Sequence, residues 1–163
     1  MSEILNLLRN SEERHFAAGE VILEQDENSG VLLVLVEGSV EVVKDGVPVA
    51  KASQPGAVFG ELSVLLGVNH TATVRAVQPC IFHVIENPRA YLEATPRVSL
   101  HVCELLAARL DALNRYLVDV RQQLAGDDHI GMVDEVLATL MHRQAPRRIA
   151  PSESTIRKGE FAD

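Results

Sequence analysis

The sequence predicts a mainly β domain with appended helices. An antiparallel, jelly-roll-like β-roll holds one short helix, and a long helix and a C-terminal helix follow. Three observations carry this. Residues 15–86 hold short β-branched runs separated by tight-turn signals, the spacing of a small all-β roll. Within them, Phe59–Gly67 switches to helical spacing. From Pro96 to Leu124 nothing breaks a helix, and apolar residues recur at steps of three and four.

The strands come first. Ala17, Ala18, Gly19 and Glu20 form a turn signal, and Gln54-Pro55-Gly56 forms another. Val31–Val36 is an apolar run of six, too short for a typical helix and bounded by Gly30 and Gly38, so it reads as a buried strand. Val40 and Val42 alternate with Glu41. Asp45-Gly46 then separates Val42–Lys44 from Val47–Val49, and Asp-Gly supplies the positive φ angles of a type I′ hairpin turn. Leu62, Leu65 and Leu66 lie three and four apart, giving one or two helical turns that start at Gly60 and stop at Gly67. Thr71–Ala76 resumes alternation, with Ala72, Val74 and Ala76 facing in and Thr71, Thr73 and Arg75 facing out. Pro79–Ile85 is one more strand.

The helices follow. Asn87-Pro88 reads as an N-cap with proline at the first helical position, and Thr95-Pro96 repeats the signal. A helix of ~30 residues would be ~45 Å long. Its apolar positions are Cys103, Leu106, Leu110, Leu113, Leu117, Val120 and Leu124, a heptad seam over three repeats. One small domain does not bury so long a stripe, so the seam is expected to pair two copies in parallel; the alternative is a helix packed back on its own domain. Asp127-Asp128 caps a further amphipathic helix over 127–143, and residues 144–163 lack periodicity and read as a disordered tail.

Composition narrows the function. At 163 residues, 47% hydrophobic and 23% charged, the chain is an ordinary globular one with room for a sizeable core. No apolar run approaches a membrane span, and no signal peptide is expected. Residues 1–142 hold 10 basic and 20 acidic side chains, while residues 143–163 hold 5 and 3. An acidic body repels a polyphosphate backbone, so direct nucleic-acid binding is not expected. Cys80 and Cys103 sit in apolar contexts and read as buried hydrophobes, which suits a reducing cytoplasm. The six histidines form no H-x-H or H-x-x-x-H pair, and there is no nucleophile elbow or P-loop. Neither an enzyme nor a metal or cofactor is expected.

The segment from Phe59 to Ala76 carries chemistry. A helix opening at Gly60 has first-turn N–H groups without intrahelical partners, and glycine leaves room for an anion beside them. The same eighteen positions resemble the phosphate-binding cassette of cyclic-nucleotide-binding domains. These are the sensor domains of the catabolite-activator family, of cyclic-nucleotide-dependent kinases and of gated channels. The Phe59-Gly60-Glu61-Leu62 opening and the Thr71-Ala72-Thr73-Val74 ending carry the likeness, and His70 stands where the family has arginine. The likeness extends from about Phe16 to Leu124 and departs again at Gln25, usually a glycine.

The resemblance implies a domain over residues 1–124, with the roll at about 15–86 and helices over 87–124. The implied ligand is cyclic AMP or cyclic GMP, held by Phe59, Gly60, Glu61, Leu62, His70, Thr71, Ala72 and Asn114. Glu61 would accept from the ribose 2′-hydroxyl, Thr71 would stand beside the phosphate and purine, and Asn114 would offer a purine contact. Arginine gives a permanently charged fork, whereas histidine is shorter and titrates near ~6.5. The pocket then binds the cyclic nucleotide through backbone amides, Glu61, Thr71 and a partly charged His70, binds another ligand, or is an empty pocket on a dimeric scaffold. In the first case affinity rises as pH falls, because an anion favours the protonated ring. Only about 40 residues follow Leu124. That is too few for a winged DNA-binding domain, so a free-standing sensor acting through a partner protein is expected.

Overall fold

The computed structural model describes residues 3–123 and Val136. The elements are helix α1 (Glu3–Leu8), strands β1 (Glu12–Phe16), β2 (Val21–Leu23), β3 (Leu32–Glu37), β4 (Val40–Lys44), β5 (Val47–Ala52) and β6 (Val58–Phe59), helix α2 (Glu61–Leu66), strands β7 (Thr73–Ala76) and β8 (Cys80–Ile85), and helices α3 (Pro88–Ala94) and α4 (Pro96–Gln123). The chain forms two compact units, Met1–Ala107 and Ala108–Asp163. The helix expected over 127–143, the tail over 144–163 and the seam residue Leu124 lie outside the described residues, apart from Val136, which is helical.

The first unit is the β-roll with helices that the sequence predicts. Two four-stranded antiparallel sheets have the orders β1-β8-β3-β6 and β2-β7-β4-β5. Leu33, Leu35, Phe59, Phe82 and Val84 of the first sheet meet Leu23, Val40, Val74 and Ala76 of the second in one core. Phe82 is its centre, edge-on to Phe16 at 5.7 Å and to Phe59 at 5.9 Å between ring centroids. A second cluster joins Leu32, Val34, Val58 and Ile85 to Ile4 and Leu8 of α1, Leu92 of α3, and Val98 and Val102 of α4. Strand β3 is thus buried on both faces. That is why its sequence is a continuous apolar run and not an alternating one.

The turns follow their residues. Asp45 (φ 51°) and Gly46 (φ 77°) both take positive φ, as a type I′ turn requires. A Cβ on Gly38 would lie 2.5 Å from the Pro79 carbonyl oxygen, so only glycine fits the turn between β3 and β4. Arg75 faces outward and pairs with Glu41, its cross-strand neighbour, at 2.6 Å.

Four sequence expectations need correction. Helix α1 and the first residues of β1 precede the expected start of the roll. Strand β7 begins at Thr73, two residues later than the alternation suggests. Asn87 precedes α3 without a side-chain cap, so Pro88 alone sets that start. Cys80 is buried, but Cys103 is exposed, because its position on α4 points away from the cluster that holds Val98 and Val102.

Candidate functional site

The segment Phe59–Ala76 folds as strand end, left-handed glycine, short helix, loop and strand. Gly60 has φ 85°, and a Cβ there would lie 2.7 Å from the Val31 carbonyl oxygen. Glycine is therefore needed twice, for the backbone conformation and for the close approach to the start of β3. Val64 N–H makes the first intrahelical bond, to the Gly60 carbonyl at 3.2 Å. Gly67, again left-handed, closes the helix with its N–H on the Ser63 carbonyl at 2.9 Å.

The expected ligand residues divide. Gly60, Glu61 and Leu62 come together at the opening of α2. Glu61 is only 5% exposed, and it is not without a partner inside the protein. Its carboxylate at the first turn is favourable to the helix dipole. Leu62 is exposed, as is Thr71, and Ala72 is half-buried beside β7. Phe59 is a core residue: it pairs with Leu33 and packs on Phe82, so it supports the cassette from behind. Asn114 lies on α4 in the second compact unit, half-buried, with its Oδ1 unpartnered. In the same unit Leu110 and Leu113 are 42% and 45% exposed, and Leu117 and Val120 are half-buried. Leu106, in the first unit, is also half-buried.

His70 differs most from expectation. It is 4% exposed, and both ring nitrogens are engaged by the protein. The Ser29 backbone N–H donates to Nε2 at 3.1 Å, and the Ser29 hydroxyl lies 2.8 Å from the same nitrogen. Nε2 is therefore an acceptor, so the ring proton sits on Nδ1 and is donated to Ser63 Oγ at 2.8 Å. Burial lowers the pKa of the ring, against a smaller opposing effect of the Glu27 carboxylate. The ring is neutral in this geometry, which replaces the expectation of a partly charged ring aimed at an anion.

Sequence reasoning missed the loop that grips this ring. Residues 24–29 lie along residues 69–73. Gln25 N–H donates to Thr73 Oγ1, Asn69 Nδ2 to the Asp26 carbonyl, Asp26 N–H to the His70 carbonyl, and His70 N–H to the Glu27 carbonyl. The sequence offers one signal, the Asn28-Ser29-Gly30 turn, but Ser29 and His70 are 41 positions apart. Gln25 also acts at the hairpin. Its amide donates to Asp45 Oδ1 at 2.7 Å and its carbonyl accepts from Asp45 N–H at 2.9 Å, tying the tip of β4–β5 to the loop. Gln25→Gly is expected to lose about 0.5–1.5 kcal/mol in a denaturant titration, the net worth of solvated hydrogen bonds. Unchanged stability would mean that this bridge does not persist in solution.

A cavity of about 520 Å³ lies on the α3 side of α2, bordered by Asn28, Gly30, Ser63, His70, Asn87 and Arg89 among others. Of the expected ligand residues only His70 borders it. No helix among the described residues is long and apolar enough to cross a membrane.

Comparison with known proteins agrees with this geometry. The model of the cyclic nucleotide-binding domain family matches residues 13–92. Residues 13–92 are thus a cyclic nucleotide-binding domain of that family. A cAMP-dependent protein kinase regulatory subunit of Yarrowia lipolytica is 37% identical over 76 residues, which are 47% of this chain and 20% of that protein. The chain thus spans about a fifth of the length of that relative. A cyclic nucleotide-binding domain from Methylobacillus flagellatus superposes with a TM-score of 0.57 at 24% identity, covering 68% of this chain and 67% of that one. The regulatory subunit of a cAMP-independent protein kinase A from Trypanosoma brucei gives 0.54 at 21% identity, covering 66% and 39%. These two structures share the fold.

Proposed function

We propose that this chain is a regulatory sensor. Its roll binds a cyclic nucleotide, cyclic AMP or cyclic GMP, without turning it over, and the bound state passes to a partner protein. Two copies pair through the seam of Cys103, Leu106, Leu110, Leu113, Leu117, Val120 and Leu124. The observation that carries the reading is the cassette: a left-handed Gly60 held against Val31, followed at once by the buried carboxylate of Glu61, within a segment that matches the family. The kinase regulatory subunit among the relatives supports binding without catalysis.

A ligand that binds only the folded state raises stability by RT ln(1 + [L]/Kd). Millimolar cyclic AMP or cyclic GMP is expected to raise the melting temperature, and the linear 5′-monophosphate to raise it less. The cyclic ester should be recovered intact. No shift with either cyclic nucleotide would refute the reading, and conversion to the linear ester would make the protein an enzyme.

The Glu61 carboxylate is expected to hold the ribose. Hydrogen bonds to a charged group contribute about 1.5–3 kcal/mol. Glu61→Gln should therefore weaken cyclic-nucleotide binding by at least about tenfold, measured by equilibrium titration. An unchanged affinity would remove Glu61 from the site.

One observation favours a second reading, a ligand-free scaffold. His70 stands where the family's arginine would meet the phosphate, yet both its nitrogens are taken by Ser29 and Ser63. The melting experiment separates the two readings.

A further inference from the structure

We infer that Ser29, His70 and Ser63 form an internal strut that positions α2 against the 24–31 loop, and that acid loosens it. The inference rests on the reading of Phe59–Ala76 as a ligand site, and it concerns how that site is held in place.

The geometry is specific. Nε2 must be unprotonated to accept the Ser29 N–H, and Nδ1 must carry the proton that Ser63 accepts. The ring therefore links a loop to a helix through one neutral tautomer. Ser63 is itself buried in the body of α2, and it is the residue whose carbonyl closes the helix at Gly67. A pull on Ser63 is thus a pull on the whole six-residue helix. A protonated ring keeps the donor to Ser63, but it presents N–H to the Ser29 N–H, two donors facing one another. Only the Ser29 hydroxyl can then accept from Nε2, so the loop side of the strut loses its backbone hydrogen bond and loosens.

The charged surroundings set the balance. On the loop, the Glu27 carboxylate favours the protonated ring, and Asp26 is the next acid. On α2 the one acid is Glu61. On the α3 side, Glu86, Arg89 and Glu93 border the same cavity. Glu86 pairs with Arg14 and Glu93 with Arg89, so their charges are partly compensated. Burial outweighs Glu27 and holds the ring below its ordinary pKa. The sign follows. The unfolded chain takes up the proton more readily, so the strut's contribution is complete above the ordinary histidine pKa of ~6.5 and is lost as pH falls through the lower folded value.

The consequence for binding is opposite to that of an imidazolium facing a phosphate. Acid should loosen the cassette and weaken the ligand.

The test uses the full chain with 15N-labelled histidine. At pH 7.5 the His70 ring is expected to show a protonated Nδ1 and a bare Nε2. Its titration midpoint should fall below that of the same residue in the urea-unfolded chain. Amide hydrogen exchange, corrected for its intrinsic pH dependence, should speed up about tenfold across residues 25–31 and 61–66 between pH 7.5 and 5.5, the effect of unmaking a buried hydrogen bond. His70→Gln, which cannot titrate, should remove that pH dependence. Ser63→Ala should raise exchange over 61–66 at pH 7.5 and leave the ring acceptor at Nε2. An Nε2-protonated or charged ring at pH 7.5, or the same pH dependence in wild type and His70→Gln, would overturn the strut. Cyclic-nucleotide affinity should fall between pH 7.5 and 5.5 in wild type and stay level in His70→Gln, and a rise in wild type would also overturn the strut. Absence of any binding would refute the sensor reading, while the ring and exchange data still decide the strut.

Discussion

Gly60→Ala is expected to lower the melting temperature much more than Gly67→Ala, although both glycines are left-handed. A left-handed backbone costs a non-glycine residue about 1–3 kcal/mol at either position. At Gly67 an added Cβ meets nothing within 4 Å, so that cost stands alone. At Gly60 the Cβ would lie 2.7 Å from the Val31 carbonyl oxygen, a backbone atom at the start of a strand buried on both faces. It yields only if α2 or β3 moves. Each kcal/mol is worth roughly 4–8 °C in a domain of this size. The Gly60 variant should therefore melt lower by ~10 °C or more, and it should bind cyclic nucleotide more weakly, because the opening of α2 is displaced. Equal melting temperatures for the two variants would show that the approach of Gly60 to Val31 does not persist in solution.

The second large effect concerns assembly. Leu110→Glu with Leu117→Glu is expected to convert a dimer into monomers. Leu110 is 42% exposed and Leu117 half-buried in the single chain. In a paired seam each would face its own copy, and the double variant would place four carboxylates in the apolar seam between two helices. Sedimentation should show the wild-type chain at twice the mass of the variant. A wild-type monomer, or a dimeric variant, would move the pairing away from this seam.

The sequence made the roll legible where one residue type carries one physical demand. Asp45-Gly46 needs positive φ twice, and the hairpin lies there. The run Val31–Val36 is apolar at every position because β3 has a core on each side. The cassette was legible for the same reason, since Gly60 and Gly67 bracket the helix with two left-handed residues, a conformation that favours glycine. Strand β1 was not legible in full. It is an edge strand, its first four residues are exposed, and no alternation marks it. Helix α1 was missed because six residues with only Ile4 and Leu8 buried hold too little periodicity. The surroundings of His70 were out of reach for another reason. Local spacing carries no information about a contact between residues 29 and 70, which the pairing of sheets and loops creates. A residue type that suggests an anion contact became, in its tertiary setting, a neutral hydrogen-bonded link.

The cassette is expected to bind a cyclic nucleotide although His70 stands where the family has arginine. Isothermal titration of the purified chain at pH 7.5 with cyclic AMP, cyclic GMP and a linear 5′-monophosphate decides this. One cyclic nucleotide should bind with one site per chain, more tightly than the linear ester, and Gly60→Ala should bind it more weakly. The absence of binding heat at millimolar concentration for both cyclic nucleotides, together with unchanged melting temperatures, would contradict the claim and leave the fold as a scaffold.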